Sequence, residues 1–139
     1  MRSNMLVALT SLTLLLAGCG SHPPTLSAQV DGVGVPAVLS SHCWKSCADY
    51  PLPEDHLRAE GYKPPVVKAE SSLKLAFSTA PQEWSLDRWQ GGKLQHVGTQ
   101  RGMPQSILMP TKAGVYTYAI SGDWTKGSAM YIFQVEIEE

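Results

Sequence analysis

The sequence has little of what usually carries chemistry. Three cysteines in 139 residues cannot build a multi-bridge scaffold or a four-thiolate metal site. Charge is sparse at 17%, and 11 basic residues against 12 acidic ones leave a formal net charge of −1. Such a balance gives no cationic field for nucleic acid, so none is expected as a partner. No Gly-x-Ser-x-Gly elbow, phosphate-cradling glycine loop or His-Glu-x-x-His pair is present. Gly32 and Gly34 precede no helical pattern and read as hairpin bends. No catalytic residue, metal site or cofactor is nominated on these grounds. What is there is ordinary: 43% hydrophobic residues, with 12 Gly and 10 Pro scattered along the chain, as in one compact domain.

The N-terminus is the most specific part. Arg2 supplies a positive start, and residues 5–16 form an apolar run interrupted only by Thr and Ser. As a helix this run would reach about 18 Å, short of a bilayer core of about 30 Å, which suits a secretory signal and not a durable span. Leu16-Ala17-Gly18-Cys19 resembles the lipobox of bacterial lipoproteins. That resemblance implies a signal peptide over residues 1–18, cleaved to leave Cys19 as the first residue and its thiol as the lipid anchor. Two acyl chains, at about 0.8 kcal/mol per buried CH₂, hold where one would exchange. Residues 19–27, Gly- and Pro-bearing, then read as a lipidated tether, and residues 28–139 as the folded domain. The expected location is the extracellular face of the cell membrane.

Cys43 and Cys47 remain. In an exported domain an even, closely spaced pair is expected to form a disulfide, provided the segment turns so that the Cα atoms approach. Two other readings stay open. A thiol pair could exchange disulfides, although redox pairs usually sit as Cys-x-x-Cys at the start of a helix. Cys-x-x-x-Cys with a distant histidine also resembles the copper site of respiratory-chain copper-delivery proteins, with His42, His56 and His96 available. That family uses alternating strands and helices, which this chain does not show.

Period-two alternation dominates the rest. Residues 25–30 and 33–41 flank Asp31-Gly32, and a second hairpin turns at Gly91-Gly92 before residues 93–97. Further strands are expected at 66–69, 73–78, around Trp84 and Leu86, at 106–109 and at 114–120. A loop over 121–127 precedes a closing strand at 128–138. A single short helix is expected over residues 53–59, with proline and acids early. Eight or nine short strands with Gly, Pro and Asp turns predict an all-β, immunoglobulin-like antiparallel sandwich of about seven to nine strands.

Pro110, Gly114, Tyr116, Tyr118, Ile120, Trp124, Tyr131, Phe133 and Val135 resemble the closing hairpin of bacterial immunoglobulin-like domains. With the lipobox and the Cys43-Trp44…Cys47 segment, the chain resembles small uncharacterised lipoproteins of Gram-positive, Bacillus-like bacteria. The resemblance implies a domain anchored on the plasma membrane and brings no activity with it.

Four tryptophans are many for a small sandwich, and packing accounts for most of them. Trp89, opposite the Trp84/Leu86 face, and Trp124, in a polar stretch, are the binding candidates. The leading expectation is a non-catalytic, membrane-anchored module that binds an extracellular protein or envelope ligand. A cysteine-protease inhibitor of the chagasin type is a second reading. It rests on a Trp-bearing loop before the last strand, while that family's other loops are missing. Envelope copper binding through Cys43 and Cys47 is a third.

Overall fold

Glycine-marked turns and alternating apolar residues set most of the strand boundaries in the computed structural model, which describes residues 22–104 and 106–138. The signal-peptide span and Cys19 lie outside the described residues. The chain begins with β1 (Leu26–Val30), β2 (Val33–Gly34), β3 (Val38–Trp44) and β4 (Ser46–Ala48), and α1 (Pro53–Ala59) follows. Then come β5 (Val66–Val67), β6 (Ser72–Phe77), β7 (Glu83–Gln90), β8 (Lys93–Arg101) and β9 (Ile107–Leu108). The long pair β10 (Gly114–Trp124) and β11 (Gly127–Ile137) closes the domain.

One sheet has the order β2-β1-β6-β9 and the other β4-β3-β11-β10-β7-β8, with β5 joining β11 beyond the end of β3. All pairings are antiparallel except the two-residue β5–β11 contact. The expected all-β sandwich is therefore what forms. The eleven described strands exceed the expected seven to nine because β2, β4, β5 and β9 are only two or three residues long. Both two-residue hairpins turn where expected. Asp31 and Gly32 have φ of 47° and 78°, and Gly91 and Gly92 have φ of 55° and 75°, the positive angles a type I′ turn requires.

The core lies between the sheets. Ala28, Val30, Leu73, Leu75 and Phe77 from the small sheet meet Trp84, Leu86, Tyr116, Tyr118, Ile120, Tyr131, Phe133 and Val135 from the large one. Each buried side chain of this size contributes about 1.5–3 kcal/mol relative to exposure. Tyr118 and Phe133, cross-strand neighbours, stack with centroids 5.2 Å apart.

The outer face of the large sheet is not all wet, contrary to a simple reading of the alternation. α1 lays Leu57 over Ala119 and Ile132, with Val38, Tyr62, Trp89 and Met130 around them. The centre of β10 is consequently buried on both faces.

One boundary differs in substance. Residues 121–127, expected as a loop, are mostly strand: Ser121, Gly122, Asp123 and Trp124 pair with Met130, Ala129, Ser128 and Gly127. Only Thr125 and Lys126 remain as the turn. Ser, Gly and Asp look like turn signals, but here they continue a ladder held from both sides by β7 and β11. Trp124 is therefore the last residue of a strand and not a loop residue.

Candidate functional site

Cys43 on β3 and Cys47 on β4 face each other across a hairpin and are joined by a disulfide, S–S 2.02 Å, with Cα atoms 4.0 Å apart. In this form neither sulfur is a thiolate that could bind metal or attack a disulfide. The histidines proposed as copper partners do not converge. His42 Nδ1 lies 2.8 Å from the Ser40 carbonyl oxygen, while His56 is buried with Nδ1 3.0 Å from Ser40 Oγ and Tyr50 stacked on its ring at 4.2 Å. His96 sits on β8, bonded to other groups. Among the described residues no three His, Cys, Asp or Glu side chains are grouped for a metal ion.

Trp124 is held from several directions. Its indole N–H donates to the Thr79 carbonyl oxygen at 2.9 Å. Its ring stands edge-on to Phe77, at 5.1 Å and 88°, and to Trp44, at 5.9 Å and 78°. Gly122 lies under the ring, where a Cβ would come within 2.5 Å of it. The glycine is thus needed for close approach, which explains a residue that otherwise looks like a turn signal.

Trp44 and Trp124 frame a cavity of about 460 Å³. Its other walls are the incoming chain at Pro23 and Pro24, the segment at Thr79 to Gln82, and the Thr125-Lys126 turn. The rim is tied: Gln82 Nε2 donates to Thr125 Oγ1 at 3.1 Å, and Thr25 N–H donates to Ser78 Oγ at 3.0 Å. The Tyr131 hydroxyl donates to the Pro24 carbonyl oxygen, and burial pushes its pKa up, so it stays a neutral donor at neutral pH. Leu26 and Ser27, within the span read as tether, are part of β1. Aromatic and proline walls with an amide, hydroxyls and one ammonium suit a ligand with an apolar body and an anionic or hydrogen-bonding end.

Trp89 is placed elsewhere. It is half-buried and packs against the Leu57/Ala119/Ile132 cluster, at a distance along the sheet from the cavity. The structure does not bring the two candidate tryptophans together.

A further arrangement was not legible. His96 Nδ1 lies 2.8 Å from Asp87 Oδ1, and its Nε2 lies 3.0 Å from Thr99 Oγ1. In the Nδ1–H tautomer the ring donates to Asp87 Oδ1 and leaves Nε2 to accept from the threonine hydroxyl. This is the order of groups that activates a hydroxyl in acyl transfer, but here it lies on the outermost strand pair with the His96 side chain 57% exposed. A bulge between Leu86 and Asp87 sets this register, and no local sequence signal announces it.

No family model matches the chain, and no curated protein matches it. Among solved structures, one similar chain is described as "Bacillus amyloliquefaciens CBM33 in complex with Cu(I) after photoreduction", with 13% identity, a TM-score of 0.43 and coverage of 58% of each chain. The matched region thus spans less than two thirds of that protein.

Proposed function

We propose that this protein is a lipid-anchored, extracellular binding module without catalytic activity, taking its ligand in the cavity between Trp44 and Trp124. The observation that carries the reading is the construction of that cavity. Two tryptophan rings are fixed by hydrogen bonding and edge-on packing, so little side-chain entropy is lost when they receive a ligand. Lys126 at the rim supplies the one ammonium among the described residues lining the cavity. The lipobox-like Leu16-Ala17-Gly18-Cys19 supports the anchor, and the fused N-terminal signal supports export.

The test is capture from solubilised cell surface by the full-length chain, compared with Lys126→Glu and Gln82→Ala. Both positions are exposed on the rim, so circular dichroism should match the parent. The expected result is a captured species that is lost or weakened about tenfold by Lys126→Glu, an effect of about 1.4 kcal/mol. Capture indifferent to both rim changes would remove the cavity from the account. The Asp87–His96–Thr99 chain supports a second, catalytic reading. Ester turnover that disappears in Thr99→Val would overturn the non-catalytic assignment.

A further inference from the structure

The chain preceding the sandwich enters it at a fixed point. Pro24 is held through its carbonyl by the Tyr131 hydroxyl, and Thr25 through its N–H by Ser78. His22, Pro23 and Pro24 wall the cavity beside Trp44 and Trp124. Cys19 precedes Pro24 by five residues, so the two cannot be more than about 18 Å apart, whatever path the chain takes. β10, with eleven residues, carries the sheet about 35 Å away from this end. Lys112 precedes the far end of β10, and the Gly91-Gly92 turn and Lys93 lie toward the same end.

Charge at the entry end is divided. Lys45 is the turn residue between β3 and β4, and Lys126 belongs to the turn between β10 and β11; the Trp44–Gly127 pairing sets these two turns side by side. Both lysines are exposed. Three acids lie at this end: Glu83 and Asp123 oppose each other across β7 and β10, with Arg101 across from Glu83 on β8, and Asp49, just after β4, shares a groove with Asp123, Cys43 and Ser128. Lys45 and Lys126 thus stand at the turn tips beside Trp44, Trp124 and the incoming chain, while the acids stand behind them on the outer face of the large sheet.

We infer that the anchored protein stands with this end on the bilayer, Lys45 and Lys126 against anionic phospholipid headgroups and the mouth of the cavity in the headgroup layer. The inference rests on lipidation of Cys19. An inverted domain would hold Pro24 about 35 Å above the surface, farther than five residues reach. Anionic headgroups attract lysines within a Debye length of the surface.

Lysine acetylation, read by mass spectrometry on the lipidated chain in vesicles of phosphatidylcholine and phosphatidylglycerol, tests this. Lys93 and Lys112 are the internal references. A second chain carries about 20 Gly/Ser residues between Ser21 and His22, adding roughly 25 Å of flexible reach. The expected result is labelling of Lys45 and Lys126 slowed about tenfold against the references, and relieved in the extended chain. Protection that persists in the extended chain also supports the orientation, carried then by the lysines alone. Equal labelling of all four lysines at native tether length overturns it. Intact mass of the same sample reads the anchor separately: a chain without lipid at Cys19 overturns the anchor, and this orientation with it.

Discussion

Trp124 of the large sheet and Phe77 of the small sheet meet edge to face, 5.1 Å between centroids and 88° between planes. The contact joins the two layers at the end where the chain enters, and it fixes one wall of the cavity. Aromatic pairs in this geometry are worth about 0.5–1.5 kcal/mol beyond the area they bury.

Gly122 makes that wall possible, because the Trp124 ring occupies the space a Cβ would need. Gly122→Ala is expected to destabilise the domain by about 1–3 kcal/mol and to shift tryptophan emission to the red. Denaturant titration followed by fluorescence checks both. A variant as stable as the parent, with unchanged emission, would mean the ring is not seated as described.

The Cys43–Cys47 bridge closes a ring of only five residues. The chain-entropy relation gives about 2 kcal/mol for a loop that short. Reduction, or a Cys43→Ser/Cys47→Ser double variant, should lower the melting temperature and leave the circular dichroism of a β-protein. Collapse of the fold on reduction would show that the bridge does more than staple β3 to β4.

Tyr118 is fully buried, and its hydroxyl makes no hydrogen bond of good geometry among the described residues, although the Arg88 guanidinium lies close to it. Burial raises its pKa from 10.0, with the Arg88 guanidinium pulling the other way. The folded state then holds the phenolic proton more tightly than the unfolded state. That contribution to stability is present below pH 10 and lost as the pH rises through the folded value. Burial raises Tyr62 and Tyr131 as well, so all three steepen alkaline unfolding. Tyr118→Phe should match or exceed the parent at pH 7 and flatten the alkaline limb of the stability curve. A loss of about 2 kcal/mol at pH 7 would instead reveal a hydrogen bond.

Trp89 belongs to the α1 contact and not to the cavity. Trp89→Ala should cost about 2–4 kcal/mol of stability by thinning the cluster around Leu57, while surface capture by the folded fraction stays at the parental level. Lost capture in a folded Trp89→Ala protein would return this residue to the binding site.

Local patterns reach a long way into this fold. The helix at Pro53–Ala59 follows from proline and acids in its first turn, and both hairpins follow from residue pairs able to take positive φ. Tyr131, Phe133, Val135 and Ile137 point to one core as their spacing requires. Long-range pairing is a different matter. Nothing in the sequence of β3 says that it lies beside β11, or that β6 lies beside β1. The cavity draws on residues near 24, 44, 79 and 125, which only those pairings bring together. The Ser121-Gly122-Asp123 stretch misleads for a related reason, since its glycine serves a ring two residues on and not a bend.

The anchor underlies the whole account, and one mass measurement on protein extracted from its native membrane tests it. The expected mass is that of a chain beginning at Cys19, increased by a diacylglyceryl group and reduced by the two hydrogens lost to the Cys43–Cys47 bond. An unmodified chain that still begins at Met1 would contradict it.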